Sequence, residues 1–98
     1  MEKIYIADDN ARTLTDAMAG HKIAEISKRW YFDIYEGMPP IGRRPCWLEG
    51  EPYTHNEQGV PLFQMFFEYN DHYYACDYLP ASTDVRKVMS EIIRDYHL

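Results

Sequence analysis

LFQMFFEYNDHYYACDYL, residues 62–79, is the stretch that decides the fold. Residues 62–69 and 72–79 are rich in Phe and Tyr, which suit a pleated, half-buried surface. Asn70 and Asp71 between them tolerate the positive φ that a two-residue hairpin turn needs. With that loop, Tyr69 faces His72, Phe67 faces Tyr74, Met65 faces Cys76 and Phe63 faces Tyr78. These partners share one sheet face, which is almost wholly apolar or aromatic and reads as core. Leu62, Gln64, Phe66 and Glu68 against Leu79, Asp77, Ala75 and Tyr73 make the other face, mixed and mildly acidic. A slip of one residue would scramble the sorting, so the pattern also specifies the register.

Outward from the hairpin, residues 84–96 carry the cleanest helical pattern. Val85, Val88, Met89, Ile92, Ile93 and Tyr96 recur at helical spacing. Ser82 or Thr83 is the expected cap, with Asp84 and Arg94 placed to suit the helix dipole. At the other end, residues 3–7 (KIYIA) alternate as a short strand, stopped by Asp8, Asp9 and Asn10. Thr13 or Thr15 caps a helix expected to run to about Arg29, although its apolar stripe changes phase near Gly20. Such a helix is either sandwiched between two surfaces or broken at that point. Residues 30–36 (WYFDIYE) alternate again and read as a strand, with Trp30, Phe32 and Ile34 inward and Tyr31, Asp33 and Tyr35 outward.

Residues 37–61 lose periodicity and hold five of the six prolines and four of the five glycines. They read as a long loop, with a short strand around Trp47 and with Trp47, Leu48, Tyr53 and Leu62 to pin it down. The resulting order is β-α-β-long loop-β-β-α. It predicts one α+β domain over residues 1–98, a two-layer sandwich whose largely antiparallel sheet carries its helices on one face.

At 98 residues with 46% hydrophobic and 27% charged residues, the composition is that of a folded globular chain. No apolar run approaches the ~18 residues of a membrane span, and the N-terminus lacks a secretory signal pattern. Two cysteines, Cys46 and Cys76, are too few for a disulfide scaffold, so reduced thiols and a cytoplasmic location are expected. The net charge of −6 is concentrated: residues 31–81 hold eight acids against Arg43 and Arg44, while the flanking segments are each neutral. That balance disfavours direct nucleic-acid binding and favours a basic partner.

Candidate chemistry is thin. His72 and Cys76 would need a helix to share a metal; on a strand they stand about 13 Å apart, too far for one ion. Cys46 lies near Arg43 and Arg44, which would lower a thiol pKa, and near His55 in sequence, but in no nucleophile motif. Glu49, Glu51 and Glu57 cluster in the long loop as candidate acids without a fixed partner. Residues 39–45 (PPIGRRP) read as a proline-rich ligand or as a stiffened loop. No glycine pattern cradles a phosphate, and neither a cofactor nor a metal is expected.

The face opposite the expected helices is the better candidate. It would present Tyr5, Tyr31, Asp33, Tyr35, Gln64, Phe66, Glu68, Tyr73 and Asp77, aromatic residues interleaved with acids. Tyrosine supplies large apolar area with a polar handle, as interfaces use it. The expectation is a non-catalytic interaction module that docks this surface onto a basic partner, an inhibitor or accessory of a nucleic-acid-handling protein. In size and charge alone the chain resembles the small acidic accessory and inhibitor proteins of phages and mobile elements. Two alternatives remain: a small enzyme or ligand-binding domain with residues 37–61 as a lid, and a self-associating module or homodimer.

Overall fold

In a computed structural model the chain is described at residues 3–35, 40–45, 47–48, 51–52 and 55–98. The elements in order are β1 (Tyr5–Ile6), α1 (Leu14–Met18), β2 (Ile23–Ile26), α2 (Lys28–Tyr35), β3 (Ile41–Pro45), β4 (Trp47–Leu48), β5 (Glu51–Pro52), β6 (Leu62–Tyr69), β7 (His72–Pro80) and α3 (Val85–Asp95). This is a small α+β fold built on a five-stranded mixed sheet in the order β1-β2-β7-β6-β3, with β4 and β5 forming a separate pair. Among the described residues β1 and β2 are the one parallel pair. The hairpin β6–β7 lies at the middle of the sheet.

Asn70 and Asp71 both take positive φ, 51° and 62°, as a tight hairpin turn with the strands' right-handed twist requires. From Tyr69↔His72 to Phe66↔Ala75 the pairing has the expected register. Beyond it a bulge intervenes, and Gln64 pairs with Tyr78 and Phe63 with Leu79. The earlier pairing of Phe63 with Tyr78 is therefore corrected. The extra residue on β7 keeps Leu79 on the same face as Phe63 and leaves Asp77 at the surface, its N–H donating to the Lys22 carbonyl at 2.8 Å.

Of the two outcomes left open for the helix expected to run to about Arg29, the break near Gly20 is the one found: α1 stops at Met18, and Ala19 and Gly20 both adopt positive φ. What is corrected is the part beyond the break, where residues 23–26 form β2 and not more helix. Ile23 points to one side of the sheet and Ala24 and Ile26 to the other, both sides buried, so the strand shows no alternation to read. Residues 30–36 were expected as a strand, yet α2 is a helix. Ser27 starts it by accepting from the Trp30 N–H at 3.0 Å, and Trp30 and Tyr31 go into the core together.

The helices lie on both faces of the sheet, not on one. Ala17 and Met18 of α1 and Trp30 and Tyr31 of α2 pack on Ala24, Ile26, Phe66, Tyr73 and Ala75. On the opposite face, Val85, Val88, Met89, Ile92 and Tyr96 of α3 or its end lie against Ile23, Phe63, Met65, Phe67, Tyr74 and Cys76. Asp84, rather than Ser82 or Thr83, caps α3, its carboxylate accepting from the Arg86 and Lys87 N–H groups at 3.1 and 3.3 Å.

Candidate functional site

The second covered face decides what the sheet can offer a partner. Phe66 and Tyr31 are fully buried, Tyr73 is buried, and Gln64 is buried with its amide donating to the Met18 sulfur at 3.7 Å. Tyr31 packs against Phe66 and Tyr73 with ring centroids 5.6 and 4.6 Å apart. Burial, the charge of Glu68 and then Tyr73 push its phenol up to about 12. Of the residues expected on an open surface, Tyr31, Gln64, Phe66 and Tyr73 therefore belong to the core. Tyr5 is half-buried and stacks on His21 at 4.2 Å.

Asp33 and Asp77 are exposed and Glu68 is half-exposed. They do not form one patch. Asp33 is on α2 and Glu68 near the turn end of β6, whereas Asp77 lies five residues beyond His72 along β7. The side chains of Tyr35 and Glu51, and Glu49 as a whole, fall outside the described residues, as do Cys46 and Tyr53. Glu57 is exposed at the tip of a turn that Asn56 organises, its Oδ1 accepting from the Gln58 and Val60 N–H groups.

The corner where α2 meets the hairpin carries what sequence reasoning missed. Phe32 was expected inward on a strand; as a helix residue it is 42% exposed, one of two large apolar side chains so placed among the described residues. It stands next to Asp33, contacts Tyr73 at 6.0 Å between centroids, and neighbours Tyr31, whose phenol feels Glu68. Its face already takes a cation, the Lys28 ammonium at 5.9 Å from the centroid. Asp33 likewise holds the Arg29 guanidinium at 3.6 Å. Both contacts are at the surface, where such pairs contribute about 0–1 kcal/mol and yield readily to a competing cation. A helical period over residues 28–35, with Trp30 and Tyr31 inward and Arg29, Phe32 and Asp33 outward, is the signal that would have found this corner.

Asp9 anchors α2 from the other side. It accepts from the Ser27 hydroxyl and the Arg29 guanidinium, which together hold its carboxyl below the usual range, and its carbonyl accepts from the Trp30 indole at 3.1 Å.

Among the described residues, cavities of about 310 Å³ each lie beside α3 and by the hairpin turn. The first is lined by Ile23, Cys76, Leu79, Val88 and Ile92 with Lys22 and Asp77 at its rim. At the second, Glu25 meets the His72 ring at 3.0 Å near Asp71 and Lys28. Burial first, then the charge of Asp77, raises the Cys76 thiol to about 12, so it stays protonated and unreactive at neutral pH. Among the described residues no group of three or more His, Cys, Asp or Glu is placed to hold a metal ion, and no helix is long and apolar enough to cross a membrane.

No family model matches the chain, and no curated protein or solved structure matches it.

Proposed function

We propose that the protein is a non-catalytic interaction module of the cytoplasm that engages a basic protein partner through its acidic and aromatic surface. An inhibitor or accessory acting on a nucleic-acid-handling protein is the partner class that a concentrated acidic charge fits best. The observation that supports this reading is the α2 corner. Phe32 and Asp33 lie side by side at the surface, each in a weak contact with a cation of the protein's own, Phe32 with Lys28 and Asp33 with Arg29, whose firmer hold is on Asp9. A lysine or arginine of a partner would displace these and gain the same ring face and carboxylate, with Glu68 adding charge. The eight acids and two bases of residues 31–81 supply the long-range attraction.

Capture from cell lysate on the immobilised protein tests the proposal. A basic protein should be retained at low salt and released at about 1 M salt, where the Debye length is about 3 Å. Asp33→Lys/Glu68→Lys should abolish retention and Phe32→Ser should weaken it. Full retention by the charge-reversed variant would overturn the electrostatic reading.

A further inference from the structure

The open edge of the sheet at β1 carries a second contact, independent of the α2 corner. β1 is one of the two edge strands of the sheet, β3 being the other, and among the described residues nothing pairs with its outer side. Ala7 donates its N–H to the Glu25 carbonyl at 2.9 Å, and Tyr5 pairs with Ala24. Backbone groups alternate in direction along a strand, so those of Ile4 and Ile6 face away from β2. Four hydrogen-bonding groups are thus presented in line at the edge. The Ile6 side chain beside them is 62% exposed, the most exposed large apolar residue among those described.

Edge strands normally carry protection, such as an inward-pointing charge, a proline or a bulge. β1 is short, two residues, and is bounded by Lys3 before it and Asp8 and Asp9 after, which limits the edge to a weak contact; residues 4–7 themselves carry no charge, proline or bulge. The sequence at the edge is also its own complement. In an antiparallel pair centred on Tyr5, Ile4 of one chain faces Ile6 of the other, Ile6 faces Ile4, and Tyr5 faces Tyr5. Ile4 and Ile6 are the residues whose backbone groups point outward, so each Ile4/Ile6 pair exchanges both hydrogen bonds, four in all. The two isoleucine pairs meet on the α3 side of the sheet, where Ile4 already packs, and the two tyrosines meet on the α1–α2 side.

We infer that β1 is a self-association edge, and that its occupant is β1 of a second copy of this chain, related by a two-fold axis through Tyr5. The contact is isologous and closes as a dimer with one ten-stranded sheet, so no further edge of this kind is left to propagate it. Two chains of net charge −6 repel, so association strengthens as salt rises, opposite to the binding of a basic partner.

Sedimentation equilibrium on the full chain tests this between about 10 µM and 0.5 mM, a range that reaches weak contacts of small area. The mass should climb from 11.7 kDa towards twice that value, and further at higher salt. Ile6→Lys should hold the chain as a monomer by placing a charge on the edge. Ile6→Pro should do the same by removing an N–H that makes no bond to β2, so the monomer's far-UV circular dichroism is retained. A wild-type monomer throughout the range, or a dimer that persists in both folded variants, would overturn the inference.

Discussion

The Tyr31 ring meets the Phe66 ring edge-on, with centroids 5.6 Å apart and planes inclined by 75°. This contact ties α2 to the centre of the sheet and closes the face that would otherwise be open. Phe66→Ala removes the larger part of it and leaves a cavity, at a cost of about 3–5 kcal/mol in unfolding free energy. An open-face aromatic would cost about 0.5 kcal/mol or less. Urea unfolding monitored by circular dichroism separates the two.

Gly42 lies opposite Phe66 on β3, and a Cβ there would stand 2.6 Å from the end of the buried Phe66 ring. The glycine is therefore required by close approach, not by its backbone angles. Gly42→Ala should destabilise by about 1–3 kcal/mol, as overpacking a filled core does. A Tm within experimental error of wild type would show that the ring has room to shift.

Those two residues also show what the sequence could and could not tell. The hairpin and α3 were legible because the first is rich in strand-forming aromatics around a turn pair, Asn70-Asp71, that accepts positive φ, and the second has a helical stripe from Val85 to Tyr96; the bulge beyond Phe66 and the Asp84 cap had no such signal. β3 was hidden within residues 37–61 because Gly42, Arg43, Arg44 and Pro45 resemble loop composition, yet an edge strand tolerates a terminal proline. α2 was misread because Trp30, Phe32 and Ile34 happen to alternate. That error, with the unseen burial of β2 on both sides, put every helix on one face and left Phe66 and Tyr73 apparently exposed. The acidic bias survived because charge counting does not depend on topology. The placement of the site did depend on it.

Alkaline pH should lower the stability of the protein progressively. Tyr31 and Cys76 are both pushed up to about 12, from ordinary values of 10.0 and 9.0. Each keeps its proton longer in the folded chain than in the unfolded one. Their contribution to stability is therefore intact below about pH 9 and is lost as pH rises through the folded values. Unfolding free energy measured from pH 8 to 11 should fall, and Cys76→Ala should flatten part of that fall. A pH-independent stability over this range would contradict the burial of both groups.

Asp84 caps α3 through two backbone N–H groups. Asp84→Ala should cost about 1 kcal/mol, whereas Ser82→Ala should change stability by less than about 0.5 kcal/mol. Thermal unfolding of the two variants side by side would show which residue begins the helix.

The central claim is that the aromatic residues facing α2 hold the fold while the Phe32/Asp33 corner and its neighbouring carboxylate meet the partner. The most direct measurement compares unfolding free energy and partner retention on two variants, Phe66→Leu and Asp33→Lys/Glu68→Lys. The expected result is a less stable Phe66→Leu protein that still retains the partner when folded, and a charge-reversed protein of near wild-type stability that does not. Retention by the charge-reversed variant, with loss of the partner from folded Phe66→Leu, would contradict the account.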